Sequence, residues 1–354
     1  MTFLDHASGA PLHPAARAVL LAAHDEGWAD PTRLYGAGRR ARLLLDDARA
    51  RLAAAFDARP DEVHLLPSGT ASVRAALAGA VARSRRGSHV VVSAVEHSSV
   101  LDAAPSATRV AVSRTGRVSV ADVVAAVTPE TAVVSLQHAN HEVGTVQPVA
   151  DLVAALPEGV VLHVDACASA GRLPLPRVPL LSASARKWGG PAGVGVLVVR
   201  KGTRWRSPAP EGPPNVPAVV AAAAALEAVL ATREEEAARQ SALVEWVRAS
   251  IAARVPDTEV VGEPEERLPH VVTFSCLYVD GEALVTELDR RGFAVNSGSS
   301  CASRTGHPSH VLEAMGVLTH GNVRVSVGAS TTRAEVEAFV DAVVDVVAGV
   351  RSRL

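Results

Sequence analysis

The chain has 354 residues, 48% of them hydrophobic, and a formal net charge of −2. That length accommodates two domains of ordinary size with a large core, and the near-neutral balance excludes an electrostatic nucleic-acid or membrane-surface binder. Cys167, Cys276 and Cys301 are too few and too widely spaced for a disulfide framework or a cysteine zinc site. With no signal-peptide pattern and no apolar run of membrane-spanning length, a reducing cytoplasm is the expected setting.

Arg39 to Phe56 places Ala41, Leu44, Leu45, Ala48, Leu52 and Ala55 at helical spacing. Val63 to Leu66 reads as a short buried strand, followed by Pro67-Ser68-Gly69-Thr70 and a helix over 71–82. His89 to Val95 is strand-like, and Ser119 caps a helix running to Val127. Thr131 to Leu136 and Val160 to Val164 are further strands, with a helix over 149–156 between them. This βαβ rhythm predicts a mainly parallel, helix-covered sheet. The rhythm changes near Thr232. A long charged helix over 234–253 leads to a Pro- and Glu-rich turn at 262–269, a strand over 271–276, a helix over 282–291 and a strand over 322–327. The capping box Thr332-Arg333-Ala334-Glu335 opens a terminal helix. The boundary between two domains falls near residue 235.

Only Lys187 and Lys201 are lysine among 35 basic residues. A guanidinium supplies charge but cannot condense with a carbonyl into a Schiff base, so a surviving amine is a candidate for chemistry. Lys187 sits between small residues and a Gly-rich turn; Lys201 reads as a strand end. Asp165 closes the strand Val160 to Val164, where open α/β sheets carry their ligand sites. It suits either a turn or the partner of a protonated cofactor ring nitrogen. Gly69, Thr70 and Ala71 lie where a helix N-terminus cradles an anion, or is simply capped. His97 follows a strand directly and could stack on a cofactor or serve the fold. Arg324 is a charge inside an apolar strand, fit for a substrate carboxylate or a structural ion pair. Cys301 lies among small polar residues, Cys276 reads as a core residue, and Cys167 fits either role.

In this order the residues resemble the cysteine desulfurases, pyridoxal-phosphate enzymes of the class V aminotransferase fold. The likeness runs nearly end to end. Phe3-Leu4-Asp5-His6 looks like the family's opening, and Ser68-Gly69-Thr70 like its phosphate loop. Glu96-His97 resembles the stacking-His motif, and Asn140-His141-Glu142-Val143-Gly144 the Asn-Asn-Glu-x-Gly turn. His163-Val164-Asp165-Ala166 resembles the pyridine-nitrogen motif, and Ser184 to Gly190, with Arg186 and Lys187, the Schiff-base motif. Ser297-Gly298-Ser299-Ser300-Cys301 is similar to the sulfur-carrying loop of the long-loop branch.

The resemblance implies an α/β fold of the pyridoxal-phosphate transferase fold type I. Its large domain, 14–235, would carry a mainly parallel seven-stranded sheet. A smaller α+β domain would combine 1–13 with 236–354. It implies pyridoxal 5'-phosphate held by Lys187, Asp165, His97, Gly69, Thr70, Ala71, Ser184, Arg186 and His141, with Arg324 and Asn140 binding the substrate, L-cysteine. Lys187, His97 and Cys301 would be catalytic. It further implies a homodimer and a sulfur-acceptor protein such as an iron–sulfur scaffold or thiolation protein. Another C–S lyase, a selenocysteine lyase, an epimerase or a cofactor-poor interaction protein of the same fold remain alternatives. The chain also departs from the family pattern. Arg186 replaces a His, Ala168 a Gln and His141 an Asn; Ala71 and Ser72 replace a second hydroxyl or acid, and Pro213 stands at a Thr. Fewer polar contacts would weaken cofactor binding.

Overall fold

The computed structural model describes residues 1–209, 212–297 and 308–352. Its elements in chain order are β1 (Thr2–Phe3), α1 (Pro14–Gly27), α2 (Gly36–Ala55), β2 (Val63–Leu66), α3 (Gly69–Arg83), β3 (His89–Ser93), α4 (Ser98–Ala103), β4 (Thr108–Val110), α5 (Val120–Ala125), β5 (Thr131–Gln137), α6 (Val149–Ala155), β6 (Val161–Asp165), β7 (Leu180–Ser184), β8 (Gly195–Val199), α7 (Val216–Ala231), α8 (Arg233–Arg254), β9 (Thr258–Val261), β10 (Val271–Cys276), α9 (Gly281–Arg290), β11 (Phe293–Ala294), α10 (His310–Met315), β12 (Asn322–Ser326) and α11 (Arg333–Arg351).

Seven strands form the large sheet in the order β2-β8-β7-β6-β5-β3-β4. All are parallel except β8, which runs antiparallel to both neighbours. Strands covered by helices on both faces read as unbroken apolar runs, and β5 and β7 are buried at every position. The Ala-rich helix α7 is buried along 216–226 and packs against α1 and α2, its small side chains admitting both helices. β12, β10 and β9 make a second, antiparallel sheet. Its core gathers Leu243, Val247, Phe274, Val325 and Phe339, and Leu4 from the N-terminus joins it.

The helices and strands expected from periodicity are present to within a few residues, and Thr332 with Glu335 forms the expected capping box. Four strands, β1, β4, β9 and β11, were not expected. β1 and β11 are two residues each and pair with one another in parallel, Thr2 opposite Phe293. The edge strand β9 is only half buried and so lacks a clean alternation. Among the described residues, no single helix is long and apolar enough to cross a membrane.

Candidate active site

The carboxyl ends of β2, β3, β5, β6 and β7 share one edge of the large sheet, and each delivers a residue to one cavity of about 200 Å³. β6 ends in Asp165 and β7 in Ser184, while the turns after β2, β3 and β5 bring Ser68-Gly69-Thr70, His97 and His141. Lys187, Arg186, Ala168 and Cys167 also line the cavity. Ser68 caps α3, its Oγ accepting the N–H of Ala71 at 3.1 Å. Gly69 is required by close approach: a Cβ there would lie 2.7 Å from Cys167 Sγ and 2.9 Å from Ser184 Cβ. The site therefore presents a fifteen-residue helix N-terminus, Gly69 and Thr70, to the cavity.

Lys187 closes the 3₁₀ turn Ala185–Lys187. Two features hold that turn. Trp188 is buried in the large core, its ring N–H donating to Ala222 O at 3.1 Å. Gly189 adopts φ +82°, bringing its backbone beneath the N-terminal segment, where its carbonyl accepts from His13 N at 2.8 Å. The Lys187 amine donates to the carbonyl of Ala7. Burial, then the charges of Arg324 and Arg186, lowers its pKa to about 8.

Asp165 is nearly buried, and its Oδ1 accepts the Cys167 N–H at 2.9 Å. Behind it His163 is held between Ser135 Oγ at 2.8 Å and Ser182 Oγ at 3.0 Å, and burial lowers its pKa to about 4. Ser182 Oγ lies 3.4 Å from Asp165 Oδ1, so the neutral imidazole fixes a hydroxyl beside the carboxylate. His97 accepts the Ser99 N–H on Nδ1 at 3.1 Å, which leaves the proton of the neutral ring on Nε2. Its ring meets that of His141 edge-on, centroids 4.9 Å apart. His141 is half-buried, and desolvation together with the positive charges near it holds its pKa well below the usual histidine value. Its Nδ1 has no partner among the described residues.

Three of the residues expected from sequence, Asn140, Ala71 and Arg324, do not line the cavity. Asn140 is not free for a ligand: its Oδ1 accepts the N–H groups of Glu142 and Val143, both at 2.8 Å, and its Nδ2 donates to Val95 O at 3.1 Å. It builds the turn, and His141 is the turn residue that faces the cavity. Ala71 does not line the cavity either, since its N–H is spent on Ser68. Arg324 lies just outside, buried, with Nη2 on Asp5 Oδ1 at 2.8 Å and Ser8 Oγ at 2.6 Å, and Nη1 on His141 O at 3.0 Å. Cys301 falls outside the described residues. The two described cysteines are poor nucleophiles: burial raises the thiol pKa of Cys276, and raises that of Cys167 well above the usual value with help from Asp165. Asp5, Ser8, Ser135 and Ser182 carried no recognisable signal for their roles, which depend on partners far away in sequence. A larger cavity of about 410 Å³ lies on the other side of Lys187, mostly apolar and without Asp165, His97 or the α3 terminus. The chemistry belongs to the smaller one.

Comparison with known proteins agrees with this arrangement. The profile of the family "Aminotransferase class-V" matches residues 2–210 and 207–339. The cysteine desulfurase IscS of Dictyoglomus turgidum is 32% identical over 96% of this chain and 92% of its own length. The chain belongs to the cysteine desulfurases of the class-V aminotransferase family. A cysteine desulfurase of Cereibacter sphaeroides is 33% identical over 99% of this chain and 96% of its own. Among solved structures, a NifS-like protein superposes with a TM-score of 0.91 at 25% identity, covering 98% of this chain and 99% of that one. Family membership implies pyridoxal phosphate. The residues present fit it: one desolvated amine, a carboxylate at a strand end, an imidazole and a helix N-terminus converge on one cavity.

Proposed function

We propose that this chain converts L-cysteine to L-alanine with pyridoxal 5'-phosphate, leaving a persulfide on Cys301 for a sulfur-acceptor protein. The observation that carries the proposal is the convergence of Lys187 and Asp165 on the cavity into which α3 points its N-terminus. Gly69, Thr70 and Ser184 would hold the phosphate, Asp165 the protonated ring nitrogen, His97 the ring face and Lys187 the carbonyl carbon. When bound, the cofactor supplies an electron sink for the pair released at Cα. Lys187, its pKa lowered to about 8 by desolvation, takes and returns the proton at Cα. His97 keeps a proton on Nε2 at the cavity wall, and Arg324 receives the substrate carboxylate. The Cys301 thiolate forms an S–S bond to the substrate sulfur as the Cβ–S bond breaks. That pair leaves with carbon, a proton equivalent to the substrate thiol's ends on the new methyl group, and alanine results.

Incubation with L-cysteine should yield alanine and enzyme-bound sulfane sulfur in equal amounts in a single turnover without reductant. Borohydride reduction and peptide mapping should place the pyridoxyl label on Lys187. A label on Lys201, or alanine without enzyme-bound sulfur, would refute the proposal. The amine adds a pH dependence. Its neutral, nucleophilic form is populated above pH about 8 rather than above the ordinary 10.5. Uptake of pyridoxal phosphate by the apoprotein, followed by absorbance, should therefore accelerate through pH 8 and level off above it. Continued acceleration to pH 10 would mean the amine is not desolvated.

A homodimer belongs to the same proposal. Leu21, Trp28, Leu34, Tyr35 and Leu43 are large apolar residues exposed within one stretch of α1, α2 and their connection, a composition suited to a subunit contact. The division into a large domain, 14–235, and a small one, 1–13 with 236–354, is likewise proposed. The separate core around the second sheet, which includes Leu4, supports it.

A further inference from the structure

Residues 5–8 touch both Lys187 and Arg324. The backbone of this segment lies alongside β12: Asp5 bridges Ser326 in parallel, and Ala7 N donates to Ser326 Oγ at 2.8 Å. At one end Ala7 O accepts from Lys187 Nζ. At the other, Asp5 Oδ1 and Ser8 Oγ both accept from Arg324 Nη2, and the carbonyl of His141 accepts from Nη1. Asn296 Nδ2 braces the pair from behind, 3.3 Å from Asp5 Oδ2 and 3.2 Å from Ser8 Oγ. Arg324 is buried, and its Nε has no partner among the described residues. An unpaired buried guanidinium N–H is costly, and a carboxylate arriving at that edge would satisfy it.

We propose that Asp5, with Ser8, is the positioning residue of the substrate-carboxylate site: by holding Nη2 it fixes the Arg324 guanidinium and leaves the unpartnered Nε–H for the α-carboxylate. The inference rests on the reading that Arg324 receives that carboxylate. A flexible arginine would lose orientation on every release of ligand, whereas one pinned at Nη1 and Nη2 stays aimed. The competing arrangement, in which Asp5 occupies the carboxylate's own place and must be displaced, makes the opposite prediction about affinity.

The probes are L-alanine and L-alaninamide, which differ in the carboxylate alone, titrated calorimetrically into the holoenzyme. In Asp5→Ala the dissociation constant of L-alanine should rise about tenfold or more while that of L-alaninamide stays within about twofold. Asp5→Asn should restore most of the loss, because its amide oxygen can accept from Nη2 in the same place. Ser8→Ala, which removes the second acceptor, should show a smaller loss with the same selectivity, and tests the idea should Asp5→Ala not fold. Equal weakening of both ligands would make Asp5 merely structural, and tighter binding of L-alanine would make it a competitor; either result overturns the proposal. Arg324→Gln separates the premise. It should abolish the difference between the two ligands, and if the difference survives, Arg324 does not bind the carboxylate, whatever Asp5 does.

Discussion

Lys187→Ala should lose turnover of L-cysteine by at least about 10³-fold, because it removes both the carbonyl anchor and the group that moves the Cα proton. Lys187→Arg should be as inactive, since guanidinium retains the charge but cannot condense with a carbonyl. Lys201 cannot substitute. Ser184 pairs with Gly195 and Leu180 with Val199, so Lys201, beyond the far end of β8, sits at the opposite edge of the sheet from the site. Stability should move the other way. The folded pKa of about 8 lies below the unfolded value of about 10.4, so the unfolded chain binds more protons between them. The apoprotein thus gains stability as pH rises through that window and carries the full penalty below pH 8, on the order of 3 kcal/mol. Apo Lys187→Ala sheds this penalty and should melt no lower than the apo parent at pH 7, measured by calorimetry. A variant that melted well below the parent would show that the amine is solvated or structurally required.

How much of this was legible in the sequence follows from the range of each interaction. Asp165 and His97 were readable because each stands at or just after the end of an apolar strand run, and parallel topology brings such ends to one edge, whereas Ser184 was expected only from the family resemblance. Lys187 was readable because the chain spends almost no other lysine. Gly69 follows the same local logic, although the reason it must be glycine, the approach of Cys167 and Ser184, could not be read from its neighbours. The environment of Arg324 was not legible. Its partner Asp5 is 319 positions away, and strand alternation places an arginine on a face without naming its counter-ion. The bonds of Asn140, which the resemblance alone assigned to substrate, were illegible for a related reason. Asparagine beside a turn suits ligand binding and turn building equally, and here three hydrogen bonds to Val95, Glu142 and Val143 consume it. β1 and β11 escaped because two-residue strands have no periodicity. Each is fixed only by the other.

Cys301→Ala should abolish alanine and persulfide formation from L-cysteine while leaving cofactor content and L-alanine binding close to those of the parent. Desulfuration needs a thiolate, and the structure removes its rivals. Cys276 is fully buried on β10, with its thiol pKa raised by burial. Cys167 lines the cavity and is the more serious competitor, but burial and the Asp165 carboxylate push its thiol further from ionisation. The carboxylate proposed to keep the cofactor ring protonated would thus also add to the effect of burial on Cys167. Cys301, in a run of small polar residues, is the proposed sulfur carrier. Cys167→Ala should accordingly retain at least about half of the parent turnover. The readout is single-turnover alanine together with mass spectrometry of the persulfide-bearing peptide. Persulfide found on Cys167, or parent-rate alanine from Cys301→Ala, would overturn the assignment and point to a lyase that releases sulfur without a protein carrier.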